Sequence, residues 1–122
     1  MKTHELKISP VYFDAVARGD KTFEVCKNDQ DFQAQDMLVL REWDSALVTY
    51  NPPWPAGSRP ADAPKDHDGY TGRELFAVVS YVFHDTWEKF GLLRGYVILG
   101  LDHIENAAAV KFDEFERNHK PT

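Results

Sequence analysis

The chain opens on an alternation. His4, Leu6 and Ile8 fall on one side and Thr3, Glu5 and Lys7 on the other, the period of a short strand. Ser9-Pro10 then has the chemistry of a helix start, a capping hydroxyl followed by proline at the first helical position. Val11 and Ala15, with Tyr12 and Val16 beside them, make a helical stripe that Gly19 stops, so a helix is expected over 10–18. Alternation returns over Thr22–Lys27. Phe23 and Val25 are expected to face the core, leaving Thr22, Glu24 and Cys26 on the other face. Asn28–Asp31 is polar turn sequence, and Met37–Trp43 reads as a third strand with Leu38 and Leu40 opposite Met37, Val39 and Arg41.

Residues 44–69 differ in kind. Five prolines (Pro52, Pro53, Pro55, Pro60, Pro64) and no sustained period predict a long loop, with Tyr50 and Trp54 as its tethers. Gly72–Phe83 is apolar on both faces, as is Tyr96–Leu101, so both are expected to be strands covered on two sides. Between them, 84–95 reads as a loop with a helical turn at Trp87–Phe90. Asn106 is placed to cap a final helix over 107–118. Five strands, an early helix and a late one predict an α+β fold: a small mixed β-barrel with helices packed against it, formed by residues 1–122 as a single domain.

Length and composition fit that picture. A chain of 122 residues that is 43% hydrophobic can hold a core without staples, burying roughly two-thirds of its unfolded surface. A lone cysteine, Cys26, excludes an internal disulfide and a cysteine-rich zinc site. The octet MKTHELKI mixes charges, and no apolar run approaches ~20 residues, so a cytoplasmic protein is expected. Fourteen basic against 20 acidic residues leave a net charge of −6, which disfavours extended duplex DNA, whose binding is driven by Lys and Arg displacing counterions. A single strand or one nucleotide in a local pocket remains compatible. Residues 1–41 are nearly balanced, with 6 basic and 7 acidic groups, so an anion site is expected there.

The densest polar cluster that adjoins structure is Gly19-Asp20-Lys21-Thr22-Phe23-Glu24-Val25-Cys26-Lys27. An ammonium from Lys21, a hydroxyl from Thr22 and a carboxylate from Glu24 near one end of the barrel suffice for a small polar pocket. On pattern alone such residues more often form a solvated strand face with a weak surface ion pair. Cys26 lacks a neighbouring histidine or helix start to activate it, and reads as a passive thiol. The five histidines show no metal-ligand spacing. No metal or cofactor is implied.

Gly19-x-Lys21-Thr22-x-Glu24 resembles the G-x-K-T-x-E-x-R signature of ASCH domains, members of the PUA-like superfamily. His4–Ile8 with its proline-started helix, Lys27-Asn28-Asp29-x-Asp31-Phe32, Asp36-x-Leu38-x-Leu40-x-Glu42, Tyr70–Glu74 and Gly95–Gly100 are similar to the family's other segments in the same order, over most of residues 3–101. The likeness is closest to a small phage and bacterial subgroup. It implies a β-barrel with a cleft beside the first helix. It also implies RNA or modified-nucleoside chemistry, one branch hydrolysing the amide of N4-acetylcytidine and another described as a ribonuclease. Lys21, Thr22 and Glu24 match the signature. Cys26 stands at the position of its arginine, Glu24 where the amidohydrolase branch has its threonine nucleophile, and Gln35 where related chains place glycine.

Three readings follow. The first is a module that binds a nucleotide or single-stranded RNA, with Lys21 on a phosphate or base carbonyl and Thr22 and Glu24 on a base edge. Lys27 and Arg73 would lend it charge, and Trp54 and Tyr70 stacking surfaces. The second is an amidohydrolase for N4-acetylcytidine-type nucleosides, with Glu24 as general base, Lys21 stabilising the oxyanion and Glu88 as the later carboxylate. The third is an adaptor whose proline-rich loop and Trp54 recruit a protein partner.

Overall fold

A computed structural model of the chain describes residues 1–48, Gly57 and 67–120. Tyr50, Trp54 and nearly all of the proline-rich stretch lie outside the described residues. Among the described residues the elements run β1 (Thr3–Ile8), α1 (Pro10–Ala17), β2 (Phe23–Lys27), β3 (Met37–Trp43), β4 (Tyr70–His84), β5 (Tyr96–Asn106) and α2 (Phe112–His119), with a 3-10 turn at Ser45–Leu47. The five strands form one mixed sheet in the order β1-β3-β4-β5-β2. It is parallel between β1 and β3 and antiparallel elsewhere. The fold is α+β, a five-stranded sheet curled into a half-barrel, with a helix after the first strand and another at the C-terminal end. β1 and β2 are its two edges, so the curl stops short of closure. Among the described residues no helix is long and apolar enough to cross a membrane.

Each face of the sheet has its own core. α1 crosses one face and buries Phe13 and Val16 against Leu38, Leu40, Val79 and Leu99. The buried stripe is therefore Phe13/Val16, three residues apart, and not the Val11/Ala15 stripe expected from the pattern; Val11 and Tyr12 are exposed. α2 covers part of the opposite face, where Phe115 packs with Met37, Phe76 and Val78. That helix begins at Phe112, later than expected. Ala107–Ala109 form a turn instead, and Asn106 caps this turn, its Oδ1 accepting from Ala108 N at 2.8 Å. The turn at 85–90 is likewise organised by a carboxylate and not by a helix: Asp85 accepts from the backbone N–H of Lys89, Phe90 and Leu92.

Strand β2 faces the opposite way from the expectation. Glu24 is buried and Cys26 half-buried on the α1 face, while Phe23 and Val25 point out on the other face, 44% and 45% exposed. A register slip of one residue inverts every side chain of a strand, and on an edge strand the apolar set does not by itself decide which face is inside. Here Lys21 compensates Glu24 on the α1 face, and Phe23 and Val25 join an apolar row with Ile98 of β5.

Candidate functional site

Helix α1 ends at Ala17 with Arg18 as its C-cap, and Gly19 takes φ +82°, the left-handed turn that lets the N–H groups of Asp20 and Lys21 return to the carbonyl of Ala15 at 2.9 and 3.1 Å. The chain thus doubles back, and Lys21 is set against the exposed side of the helix it has just left. Its Nζ lies 2.6 Å from Oε1 of Glu24. It also stands 4.1 Å from the ring centre of Tyr12 and 5.1 Å from that of Phe23. Both charged side chains are mostly out of water, 15% and 11% exposed, so this is not the solvated surface pair of the alternative reading. Burial pushes the Glu24 carboxyl above its usual range, and the hydrogen bond and charge of Lys21 only partly offset that. Tyr12, Lys21, Phe23, Glu24 and Val25 line a hollow of about 230 Å³. Cation–ring contacts of this kind contribute ~0.5–2 kcal/mol and hold the ammonium without consuming its hydrogen-bond donors.

The other candidate residues are distributed elsewhere. Thr22 is exposed at the entry to β2; its carbonyl accepts from Leu101 N at 2.8 Å, and it does not line the hollow. Lys27 is exposed at the far end of β2, in register with Tyr96. Glu88 sits on the β4–β5 loop, exposed and paired with Arg94 at 2.8 Å, beyond the Lys27 end of β2, and is not brought to Lys21 and Glu24. Tyr70 begins β4 beside Trp43, with the guanidinium of Arg41 4.0 Å from its ring centre and Lys7 Nζ 5.9 Å away. Arg73 serves α1. It binds the buried carboxylate of Glu42 and reaches Asp14 at 3.0 Å, with its guanidinium 4.4 Å from the ring centre of Phe13. Arg73 and the hydroxyl of Thr71 hold the Glu42 carboxyl below its usual range, and Arg73 itself is raised by the two carboxylates. Its charge is spent on this lock, which pins the helix to β3 and β4.

The pattern puts Tyr12 and Phe23 toward the core, and they are walls of the hollow instead. The clue is the glycine-lysine reversal after α1, which must bring Lys21 back beside an exposed helix residue. Cys26, half-buried behind Glu24, has its thiol pushed up to about 11 by burial and by the charges of Glu24 and Asp29. A second buried polar set also escaped the pattern. His4 Nε2 lies 2.8 Å from Asp36 Oδ2, and the same carboxylate accepts from the backbone N–H groups of Lys2 and Gln33. Among the described residues no group of three or more His, Cys, Asp or Glu side chains is placed to hold a metal ion.

Over 48 residues the chain is 40% identical to an uncharacterized 12.9 kDa protein in the GpA 3′ region of Escherichia phage P2; the aligned stretch is 39% of this chain and 44% of the phage protein. The chain therefore spans less than half the length of that relative. The family described as a domain of unknown function, DUF3850, matches residues 3–101, from the first residue of β1 into β5 and across the whole Lys21–Glu24 hollow, and the chain belongs to that family.

Proposed function

We propose that the chain is an ASCH/PUA-like binding module whose hollow receives one base of a nucleotide or of a short single-stranded RNA segment. The observation that carries this reading is the pairing of a shielded donor with a shielded acceptor between two aromatic rings. Lys21 spends one of its three donors on Oε1 of Glu24. Among the described residues Oε2 accepts no hydrogen bond. An amine N–H next to a ring nitrogen or carbonyl, the edge shared by cytosine and adenine, complements that arrangement: the amine donates to Glu24 and the ring acceptor receives from Lys21. Tyr12 and Phe23 supply π faces, and base–aromatic stacking contributes ~1–3 kcal/mol. Single-stranded bases have these edges free. The net charge of −6 favours a local contact over an extended backbone track.

The test is a titration of the chain with cytidine and adenosine monophosphates, followed by NMR. Shifts at Lys21, Glu24, Tyr12 and Phe23 are expected, and Glu24→Gln is expected to weaken binding by about tenfold, the loss of one charge-assisted hydrogen bond. No shift at millimolar nucleotide would overturn the reading.

One observation favours a second reading, hydrolysis of an N4-acetylcytidine-type amide. A carboxylate made more basic by burial, beside an ammonium, suits a general base. Glu24 would take a proton from water as the water oxygen bonds to the acyl carbon, and Lys21 would stabilise the oxyanion. The C–N bond then breaks, the amine leaves with the proton from Glu24, and the products are acetate and the free nucleoside. Turnover of N4-acetylcytidine that Glu24→Gln abolishes supports this; turnover unchanged in that variant rejects it.

A further inference from the structure

Among the described residues the α2 face of the sheet is only half covered. α2 lies over Met37, Phe76 and Val78, and no described helix lies on the half made by β2, β5 and the end of β4. Its side chains form rows across three strands. Phe23, Gly100 and Tyr81 are in register in the first row, and Val25, Ile98 and Phe83 in the second. Lys27 and Tyr96 follow at the end. None of these positions carries a carboxylate. Tyr81 is 66% exposed. Between the two rings of the first row there is no side chain, because residue 100 is glycine. A Cβ there would come within 2.6 Å of Ser80 Oγ, so the glycine lets a hydroxyl lie over the strand between Phe23 and Tyr81. Beyond the second row, the ring of Phe90 packs edge-on against Phe83, with centres 5.7 Å apart.

We propose that this uncovered face is a stacking platform for a single-stranded nucleic acid that continues out of the Lys21–Glu24 hollow. The inference rests on the nucleotide-binding reading of that hollow and extends it from one base to a strand. Continuity argues for this occupant. Phe23 and Val25 are walls of the hollow and also the first members of the two rows, so a strand with one base in the hollow leaves directly onto the face. The chemistry argues for it too. The rings of Phe23 and Tyr81 lie two strands apart, about 10 Å at roughly 4.8 Å per strand, with a glycine between them, and such rings accept bases of any sequence. The Ser80 hydroxyl offers a donor or acceptor to a base edge, and Lys27 flanks the rows where a phosphate would pass. Stacking and one flanking ammonium carry the contact, so it needs no extended backbone track, which the net charge of −6 disfavours.

The full chain is titrated with cytidine monophosphate and with a fluorescently labelled oligocytidylate of about eight nucleotides, within the site sizes of single-strand-binding folds. The oligonucleotide is expected to bind more tightly than the mononucleotide. Tyr81→Ala, at an exposed position outside the hollow, is expected to weaken the oligonucleotide by roughly fivefold to a hundredfold, the range for loss of one stacked base, and to leave the mononucleotide unchanged. Unchanged melting and circular dichroism establish that the variant folds. Serine 80 gives an independent check, Ser80→Ala weakening the oligonucleotide alone. Oligonucleotide affinity unaltered in both variants overturns the platform even where the hollow binds its nucleotide. Binding that survives Glu24→Gln but falls with Tyr81→Ala supports the platform while rejecting the hollow. A concentration-dependent dimer that Tyr81→Ala dissolves assigns the face to a second copy and overturns the proposal.

Discussion

Lys21 and Glu24 are three residues apart and make a 2.6 Å contact across the start of an edge strand, shielded on the ammonium side by the ring of Tyr12. An i,i+3 pair is a helical neighbour; on a strand those positions point to opposite faces. The contact exists because Lys21 precedes β2 and is still part of the reversal that follows α1. The geometry of the hollow therefore rests on the helix cap, and the cap depends on Gly19.

The raised Glu24 carboxyl has a signed consequence. A carboxyl that is easier to protonate in the folded chain than in the unfolded one contributes stability below its ordinary pKa of 4.5. That contribution is lost as pH rises through the higher folded value. Glu24→Gln removes the dependence. The stability of the natural chain relative to this variant is expected to fall between about pH 4 and about pH 8, read from urea midpoints at both. A difference that stays level, or rises, shows that Glu24 is not desolvated as described.

Cys26 is half-buried behind Glu24, and its environment disfavours the thiolate. A thiol at about 11, against an ordinary 9.0, has about a hundredfold less thiolate at neutral pH. Alkylation by iodoacetamide in the folded chain is expected to be slower than in the urea-unfolded chain by about tenfold or more, since the greater nucleophilicity of a more basic thiolate offsets part of the hundredfold, and to accelerate with pH until near 11. A folded-state rate equal to the unfolded one would mean that the Glu24 side of the hollow opens to reagent.

Gln35 has φ +76° and its N–H donates to the carbonyl of Val79 at 2.7 Å, so the turn before β3 is held in the left-handed region by a non-glycine residue. Conformations of this kind cost a side-chain-bearing residue about 1 kcal/mol or more, and glycine little. The greater freedom of glycine in the unfolded chain takes back part of the gain. Gln35→Gly is expected to raise stability by about 0.5 kcal/mol, seen as a melting temperature higher by roughly 2–3 °C. A lowered melting temperature would mean that the Gln35 side chain contributes more than its backbone costs.

Much of the fold was legible because its signals are local. The Ser9-Pro10 start, the Gly19 stop, the alternation of His4–Ile8 and Met37–Trp43 and the doubly apolar Gly72–Phe83 each found their element. What failed was set by packing that no local period carries. Glu24 turns inward because Lys21 and α1 meet it there, and Phe23 and Val25 turn outward because Gly100 and Ile98 continue their rows. No period within Thr22–Lys27 distinguishes these two orientations. The candidate site split along the same line: Lys21 and Glu24, joined by a local reversal, came together, whereas Arg73, Tyr70 and Glu88, grouped by residue type, were taken by Glu42, Arg41 and Arg94.

Asp36 and His4 make the opposite case to Glu24. Burial works to raise the Asp36 carboxyl, but the hydrogen bond from His4, the N–H groups of Lys2 and Gln33 and the charge of His4 outweigh it and leave it below its ordinary 3.8. The sign therefore reverses: the stability is present above 3.8 and is lost as pH falls through the lower folded value. These contacts tie the first turn of β1 to the entry of β3, where the parallel register begins at Thr3 and Met37. Asp36→Asn puts an amide donor where three donors already converge, and leaves one of them unpaired. A loss of about 2–4 kcal/mol in the urea-extrapolated unfolding free energy is expected at neutral pH, together with a shallower acid limb than in the natural chain. A loss under about 0.5 kcal/mol would place the pair among ornamental contacts and leave the parallel edge to its apolar residues, Ile8 and Leu40, alone.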